Sequence, residues 1–405
     1  MDILPRILIV RSLRGLGDGC VCILLPSYLA ILGLTLVEIG FAITATVLGS
    51  GLASLVLSFQ SKRWGLRSIL LGACMLMFAT GLAMTQVRDF WPVIVVAFFG
   101  TLNASMDDVS IFLPIEHALI GNATVYRDRT RFFSYYSTIG ALSAALGAFC
   151  AQAPDLLSVK FGMDRVLTLQ LVFLAYSLLG VICFLVYRTL PKNITSHVGL
   201  ETHKFKDLDR KIIGLTALFS LDALGGGMIV HSMMSLYLIT FFGLSTKEVS
   251  EVFVAMSLIS ATSFLFAPFF SKVFGLFNML LVFHIPASLI LIALFFVPTA
   301  SWAVSLLLIR SAISNIDVPA RASYVMSLVT QDQRAAAASL TNLPRSVVSS
   351  MGPWMSGLLM SLSVLSWPLL LAGGIKLAYA GLLWKSFRNV RPHASSFAEN
   401  KELIR

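Results

Sequence analysis

Residues 188–210, RTLPKNITSHVGLETHKFKDLDR, form the one long polar interruption in an otherwise apolar chain. On either side the apolar runs match the roughly 20 residues that a helix needs to cross a bilayer. Reading these runs between polar, Pro and Gly punctuation predicts helices over 7–32, 39–59, 69–87, 91–120, 132–153 and 166–187. Beyond the interruption, helices are predicted over 212–242, 249–269, 279–298, 302–329, 335–362 and 365–387. The expectation is an all-α polytopic membrane protein. A first six-helix bundle covers 1–187, a cytoplasmic linker 188–210, a second six-helix bundle 211–391 and a cytoplasmic tail 392–405.

Composition agrees. Of 405 residues, 57% are hydrophobic and 12% charged, about half the charged share of a soluble domain. With 29 Phe, 28 Gly and a mean hydropathy of +0.86, the apolar residues are too many for water-soluble cores. The formal charge of +10 comes from Lys and Arg in short loops, with no continuous basic face, so it reflects membrane topology and excludes nucleic acid as a partner. The five cysteines, Cys20, Cys22, Cys74, Cys150 and Cys183, all fall within apolar runs and read as small buried hydrophobes. Cys20 and Cys22 point about 200° apart on a helix, so no metal site and no cofactor are expected. The first run lacks a small-residue cleavage signal and carries Arg11, Arg14 and Asp18, which predicts a retained helix.

Positive residues near helix ends resist translocation, and here they are strongly one-sided. With the amino terminus cytoplasmic, the opposite side receives only Arg88, Lys160, Arg165 and Lys247, while nearly all other loop Lys and Arg stay inside. Both termini are therefore expected in the cytoplasm. The two halves also resemble each other. An offset of 210 carries Gly33, Leu34, Glu38, Ser61, Lys62 and Gly65 onto Gly243, Leu244, Glu248, Ser271, Lys272 and Gly275. Further on, an offset of 205 carries Pro114, Arg129, Ser134 and Gly147 onto Pro319, Arg334, Ser339 and Gly352, and sets Glu116 opposite Arg321. A parallel duplication of a six-helix unit accounts for both registers.

The loop after the second helix, SFQSKRWGLRS (58–68), and the paired segments LPIEHAL with RDRTRFFSYYS and VPARASYVMSLV with QDQRAAAASLTNLPRS carry a family likeness. Together with the six-plus-six pattern, they resemble the major facilitator superfamily over essentially the whole chain. In the family's loop an Asp stands where this chain has Lys62, and a Gly where it has Ser58. Arg63, Gly65 and Arg67 keep the expected character. The resemblance implies a gate around Lys62, Arg63, Gly65 and Arg67 that leans on contacts other than that missing carboxylate. The fifth helix contains GALSAALGAF (140–149), whose Gly140, Ala144 and Gly147 read as a close-packing face. The family's signature Arg of the fourth helix and antiporter Pro of the fifth are absent.

An ionised side chain near the bilayer centre costs roughly 2.5 to 3.5 kcal/mol on insertion scales, so each one needs a partner or water. Those placed within predicted helices are Arg14 and Asp18 in the first, Asp107 and Asp108 in the fourth, Asp222 in the seventh, and Arg310 and Asp317 in the tenth. The resemblance gives helices one, four, seven and ten a shared central cavity. Asn103 lies one turn from Asp107, Arg14 one turn from Asp18, and Arg310, Ser314, Asp317 and Arg321 form a stripe on one helical face. Read blandly, Arg14 and Asp18 neutralise each other, Arg310 is locked to Asp317 or to an acid in helix four, and Asp222 sits against Gly225, Gly226 and Gly227. On the same reading His284 is a satisfied buried imidazole, while Lys376 and Arg345 snorkel or support packing. Glu116, Arg129 and Arg131, with Arg321, Arg334 and Arg345 in the second copy, are expected as gate contacts between the halves.

The expected activity is secondary active transport by alternating access. Proton-coupled export of a small amphipathic compound leads, because Met, Phe and Cys are plentiful in the helices. Proton-linked uptake of a small organic anion follows, favoured by Arg14 and Arg310. Asp18 or Asp107 is the expected proton-binding acid, with Arg310 orienting substrate. No Ser/His/Asp or metal pattern supports an embedded enzyme, and a receptor has no soluble domain to support it. The expected setting is a monomer in the cell (inner) membrane, with a small-molecule substrate, protons and the lipid bilayer as partners.

Overall fold

A computed structural model describes residues 3–105, 110–123, 126–191, 210–317, 321, 324–325, 328, 341, 344–362 and 364–389. At 55, 58–64, 118, 121–123, 126–131, 134, 210–211, 264–265, 267–268 and 272 only the backbone is described. All regular structure among the described residues is helical. The first half comprises α1 (Ile3–Ile31), α2 (Leu36–Trp64), α3 (Leu66–Met84), α4 (Phe90–Phe99), α5 (Leu113–Ala123), α6 (Tyr126–Cys150), α7 (Ala153–Phe161) and α8 (Arg165–Arg188). The second half comprises α9 (Arg210–Met228), α10 (His231–Phe242), α11 (Thr246–Phe274), α12 (Leu276–Val282), α13 (His284–Phe295), α14 (Ala300–Ile313), α15 (Gly352–Met360) and α16 (Trp367–Phe387). Residues 344–350 are helical and lead into α15. Among the described residues, seven helical stretches are long and apolar enough to cross a bilayer, and α4 and α14 are shorter apolar helices.

Local chemistry repeats with the duplication. Thr35 and Ser245 each donate backbone N–H and hydroxyl to the glutamate three residues on, Glu38 and Glu248, at 2.7–2.8 Å. These reciprocal caps satisfy the first N–H groups of α2 and α11, worth about 1 kcal/mol each. Gly65 (φ 72°) and Gly275 (φ 74°) make the corresponding turns into α3 and α12, where a side chain would be strained.

The fourth, seventh and tenth spans differ from the continuous helices that hydropathy predicts. The fourth leaves helical geometry after Phe99, and its described residues 100–105 and 110–112 are non-helical before α5 begins. The seventh breaks at 229–230, and the tenth passes from α14 into turns at 314–317. Hydropathy is blind to such breaks, since it counts apolar side chains and not backbone hydrogen bonds.

Three apolar cores organise the molecule. At the end remote from the chain termini, a single core runs through both halves, joining Cys20 to Leu29 of α1 and Ile39 of α2 with Val230, Met233 and Leu236 to Leu238 at α10, and Phe253 of α11. At the termini end there are two separate cores. One, with Ile7, Leu70, Ile115 and Tyr187, belongs to the first half; the other, with Ile212, Met279, Tyr324 and Leu383, belongs to the second. Among the described residues, the halves thus share one core at the remote end and have separate cores at the other. The closure runs through α1 on α10, α2 on α15 and α6 on α11. Gly40 of α2 faces Gly357 and the Pro353 carbonyl of α15 so closely that a side chain has no room. Within the first half, Gly19 meets Ala144 and Gly147 meets Leu16, which brings α1 and α6 into backbone contact.

Candidate functional site

The interrupted fourth and seventh spans meet between the halves. Backbone outside a helix must find partners within the protein when no water is available, and residues 101–105 do so. Thr101 N–H donates to Thr80 Oγ1 (3.3 Å), and its carbonyl accepts from the Tyr176 hydroxyl (2.8 Å). Asn103 Oδ1 accepts from Ser105 N–H (3.2 Å) and Ser105 Oγ (2.9 Å), holding the turn. The two carbonyls beyond it cross to the second half: Ala104 O accepts from Ser232 N–H (3.2 Å), and Ser105 O lies 2.6 Å from His231 Nδ1. The His231 ring also sits edge-on to Phe253. A further link, Ser235 Oγ to Ile23 O at 3.3 Å, joins α10 to α1. Asp18, buried midway along α1, accepts from Asn103 Nδ2 at 3.4 Å and so adjoins this junction.

Arg14 is paired differently from the sequence expectation. Its Nη1 bonds Glu116 Oε1 on α5 at 2.6 Å, Nη2 reaches Ser110 Oγ at 3.3 Å, and the guanidinium lies 4.0 Å above the Phe112 ring. Glu116 is fully buried and also accepts from the hydroxyls of Tyr136 and Tyr187. Among the described residues all its partners belong to the first half, where it serves the packing of one bundle. One carboxylate closing on Arg14 and two phenols is a satisfied network, which is what makes two buried charges tolerable.

The second half holds a larger cluster. Asp222 of α9 lies 2.7 Å from Lys376 Nζ, 2.9 Å from Arg321 Nη1 and 3.1 Å from His284 Nε2. Asp317 takes Arg321 Nη2 at 3.1 Å and stands 3.6 Å from His284 Nδ1. Phe219 underlies Arg321 and Tyr379 packs edge-on to His284. Lys376 therefore does not snorkel, Asp222 does not simply rest against the glycine run, and Arg321 binds within its own half. Gly225 and Gly227 serve packing instead, against α16 and against Ser349 and Gly352.

Of the remaining expected site residues, Arg310 is half-buried on α14 and acts electrostatically on Lys376, while Arg345, half-buried in the helical stretch 344–350, acts on Tyr379. Arg67 donates to the Arg188 carbonyl at 2.7 Å, tying the start of α3 to the end of α8 in the same half. Asp107, Asp108 and Arg334 lie outside the described residues, as do the side chains of Lys62, Arg63, Arg129 and Arg131. Cys150 is exposed, unlike the other four cysteines. Sequence reasoning did not single out His231, Tyr136, Tyr187 or Tyr176. Only an intramembrane Lys at 376 carried a readable signal, since a lysine there calls for a carboxylate.

Comparison with known proteins agrees with this architecture. The uncharacterized membrane protein YJR124C of Saccharomyces cerevisiae is 22% identical over 386 residues, covering 86% of this chain and 85% of that protein. A bacterial homologue of the human lysosomal transporter Spinster, in an inward-facing and occupied conformation, superposes with a TM-score of 0.74 at 14% identity, over 95% of this chain and 96% of its own. The nucleoside transporter NupG gives 0.72 at 16% identity, over 96% and 99%. The inward open xylose transporter XylE from E. coli gives 0.71 at 13% identity, over 96% and 97%. The family model of the Major Facilitator Superfamily matches residues 7–353, and this all-helical chain belongs to that family of membrane transporters.

Proposed function

We propose that this transporter works by alternating access and exports a small amphipathic compound in exchange for protons. The observation that carries this reading is the neutralisation of buried charge within each half. Arg14 is closed on Glu116, and Arg321 and Lys376 are closed on Asp222. These cations are engaged before any solute arrives, which removes Arg14 from the support for an anion carrier. Met228, Met233, Met234, Tyr237 and Met360, soft side chains that adapt to varied apolar shapes, are buried together among α9, α10, α15 and α16 of the second half. The inward-facing and inward open states named for the Spinster homologue and XylE support the same assignment to this chain, with the remote end closed.

In this reading the bundles are residues 1–187 and 211–391, joined by the linker 188–210 and followed by the tail 392–405. The protein is a monomer in the cell membrane with both termini in the cytoplasm. Asp18, Asn103, Asp107, Asp108 and Arg310 are the residues assigned to binding solute or protons. The gate between halves is the junction of Ser105 with His231.

The test is transport in sealed vesicles with an imposed pH gradient and an internal pH dye. Three probes are used: the amphipathic cation tetraphenylphosphonium, a neutral amphipath and benzoate. Proton movement opposite to either amphipath supports export by exchange. Proton movement with benzoate in the same direction replaces it by anion uptake, and solute flux indifferent to pH rejects proton coupling.

A further inference from the structure

We propose that the exposed face of α16 binds one anionic phospholipid, its headgroup on Lys385 and Arg388 and an acyl chain in an open groove along the same helix. The site is independent of the coupling ion and of the direction of transport. Trp367, Leu370, Leu371, Gly374, Ile375 and Ala378 line that groove, which has a volume of about 370 Å³. A side chain added at Gly374 would meet nothing within 4 Å, so the surface is hollow there. The Phe295 ring packs against Trp367 at the remote end, with centroids 5.5 Å apart. In helical steps of three and four the same face runs from Leu371, Gly374 and Ala378 through Gly381 to Lys385 and Arg388, all of them exposed.

The charged end sets the chemistry of the occupant. Arg388 holds its guanidinium 4.6 Å from the centre of the exposed Trp384 ring, which keeps the cation at the level where Trp side chains meet headgroups. Among the described residues neither Lys385 nor Arg388 has an acidic partner. Two cations without a carboxylate, at the end of an apolar groove, are complementary to a headgroup anion that carries its own hydrocarbon. The dimensions agree. With a rise of 1.5 Å per residue, Ala378 and Leu371 lie about 10 Å and about 21 Å along the axis from Lys385. One leaflet of hydrocarbon is about 15 Å deep, so a chain hanging from a headgroup at Lys385 runs into the groove. A second copy fits this face poorly. Two copies in one membrane share their topology, and a two-fold axis through this face would set Lys385 and Arg388 against the same cations of the other copy. In the topology proposed above this end is cytoplasmic, the side on which anionic lipids are concentrated.

The experiment is native mass spectrometry of the full chain in detergent at low ionic strength, titrated separately with dioleoyl phosphatidylserine and dioleoyl phosphatidylcholine. The first phosphatidylserine should bind about thirtyfold more tightly than phosphatidylcholine, the factor expected from two basic residues at a membrane surface. Lys385→Gln combined with Arg388→Gln should abolish that preference, whereas Lys160→Gln, an exposed cation at the remote end, should leave it intact. Gly374→Trp fills the groove where a side chain has open space, so the fold is kept. It should weaken both lipids about tenfold while both cations remain. Equal phosphatidylserine affinity in the parent and the double variant overturns the proposal, as does a loss of the same size in Lys160→Gln. Undiminished binding to Gly374→Trp overturns the groove as the seat of the chain. A dimer that Gly374→Trp abolishes, with no preference between the lipids, gives the face to a second copy instead.

Discussion

Glu116 and Arg321, which the 205-residue offset superposes, each close a buried ion pair with the first helix of their own half, but with the charges exchanged: Arg14 answers Glu116, and Asp222 answers Arg321. A carboxylate–guanidinium bond has the same geometry whichever helix supplies which end, so the duplicated halves keep the place of the bond without keeping its sign. Each bond pins the first span of a half to the span that follows an unwound segment. This keeps the half rigid at the termini end, where its core is not shared with the other half.

Breaking one such pair leaves an uncompensated charge in the interior. Glu116→Gln should destabilise the protein by about 3–5 kcal/mol, whereas Tyr187→Phe, which removes one hydrogen bond to a charged group, should cost about 1.5–3 kcal/mol. Thermal unfolding in detergent ranks the two. Equal melting of Glu116→Gln and the parent protein would show that Arg14 is held by something else.

Exchange of the pair follows from the reversed charges of the two halves. Arg14→Glu combined with Glu116→Arg should recover stability relative to either single change, by an interaction energy of about 0.5–3 kcal/mol in a double-mutant cycle. Purely additive losses would mean that Tyr136 and Tyr187 fix the orientation of the bond.

The bond from His231 to Ser105 O crosses between the halves at the closed end. Rocking of the bundles has to break it. His231→Phe should favour opening there by about 1 kcal/mol, roughly a fivefold change in population. Thiol labelling of Ser235→Cys from the remote side, in a cysteine-free background, reads this as faster modification. An unchanged labelling rate would relieve His231 of a gating role.

Close approach of α2 and α15 at Gly40 and Gly357 closes the same end. Gly357→Leu should hold these helices apart and increase labelling of the same thiol far more than His231→Phe, because a clash with backbone cannot be relieved by a rotamer change. Labelling below that of His231→Phe would locate the closure elsewhere.

Asp18 adjoins the junction through Asn103. If it exchanges protons with solute, Asp18→Asn should abolish pH-driven movement of tetraphenylphosphonium while solute–solute exchange across equal pH persists. Retention of the full pH dependence would transfer the coupling role away from Asp18.

Much of the membrane architecture was legible in advance, and the misses share a cause. The end of Asp18's reach was misjudged because one-turn spacing on α1 made Arg14 its obvious partner, whereas Glu116, 102 residues away, takes Arg14. Lys376 looked like a snorkelling side chain because its own helix offers no acid, and Asp222 is 154 residues distant. The fourth span was read as one helix because the apolar residues on both sides of its polar stretch were joined into one run, and only the side chains of Thr80, Asn103 and Tyr176 reveal how the backbone of residues 101–105 is satisfied outside a helix.

By itself the sequence determined an all-helical membrane protein of the facilitator type, and it predicts the division at 188–210, the duplication and the set of charges committed to the membrane. Each of these depends on residue order along one helix or loop and on the energy of moving it into lipid. The partners of those charges, the breaks in the fourth and seventh spans, and the closure at the end remote from the termini were decided by tertiary structure alone. They depend on distances between helices far apart in the chain, where a buried charge or an unpaired carbonyl takes whichever complementary group packing brings within reach.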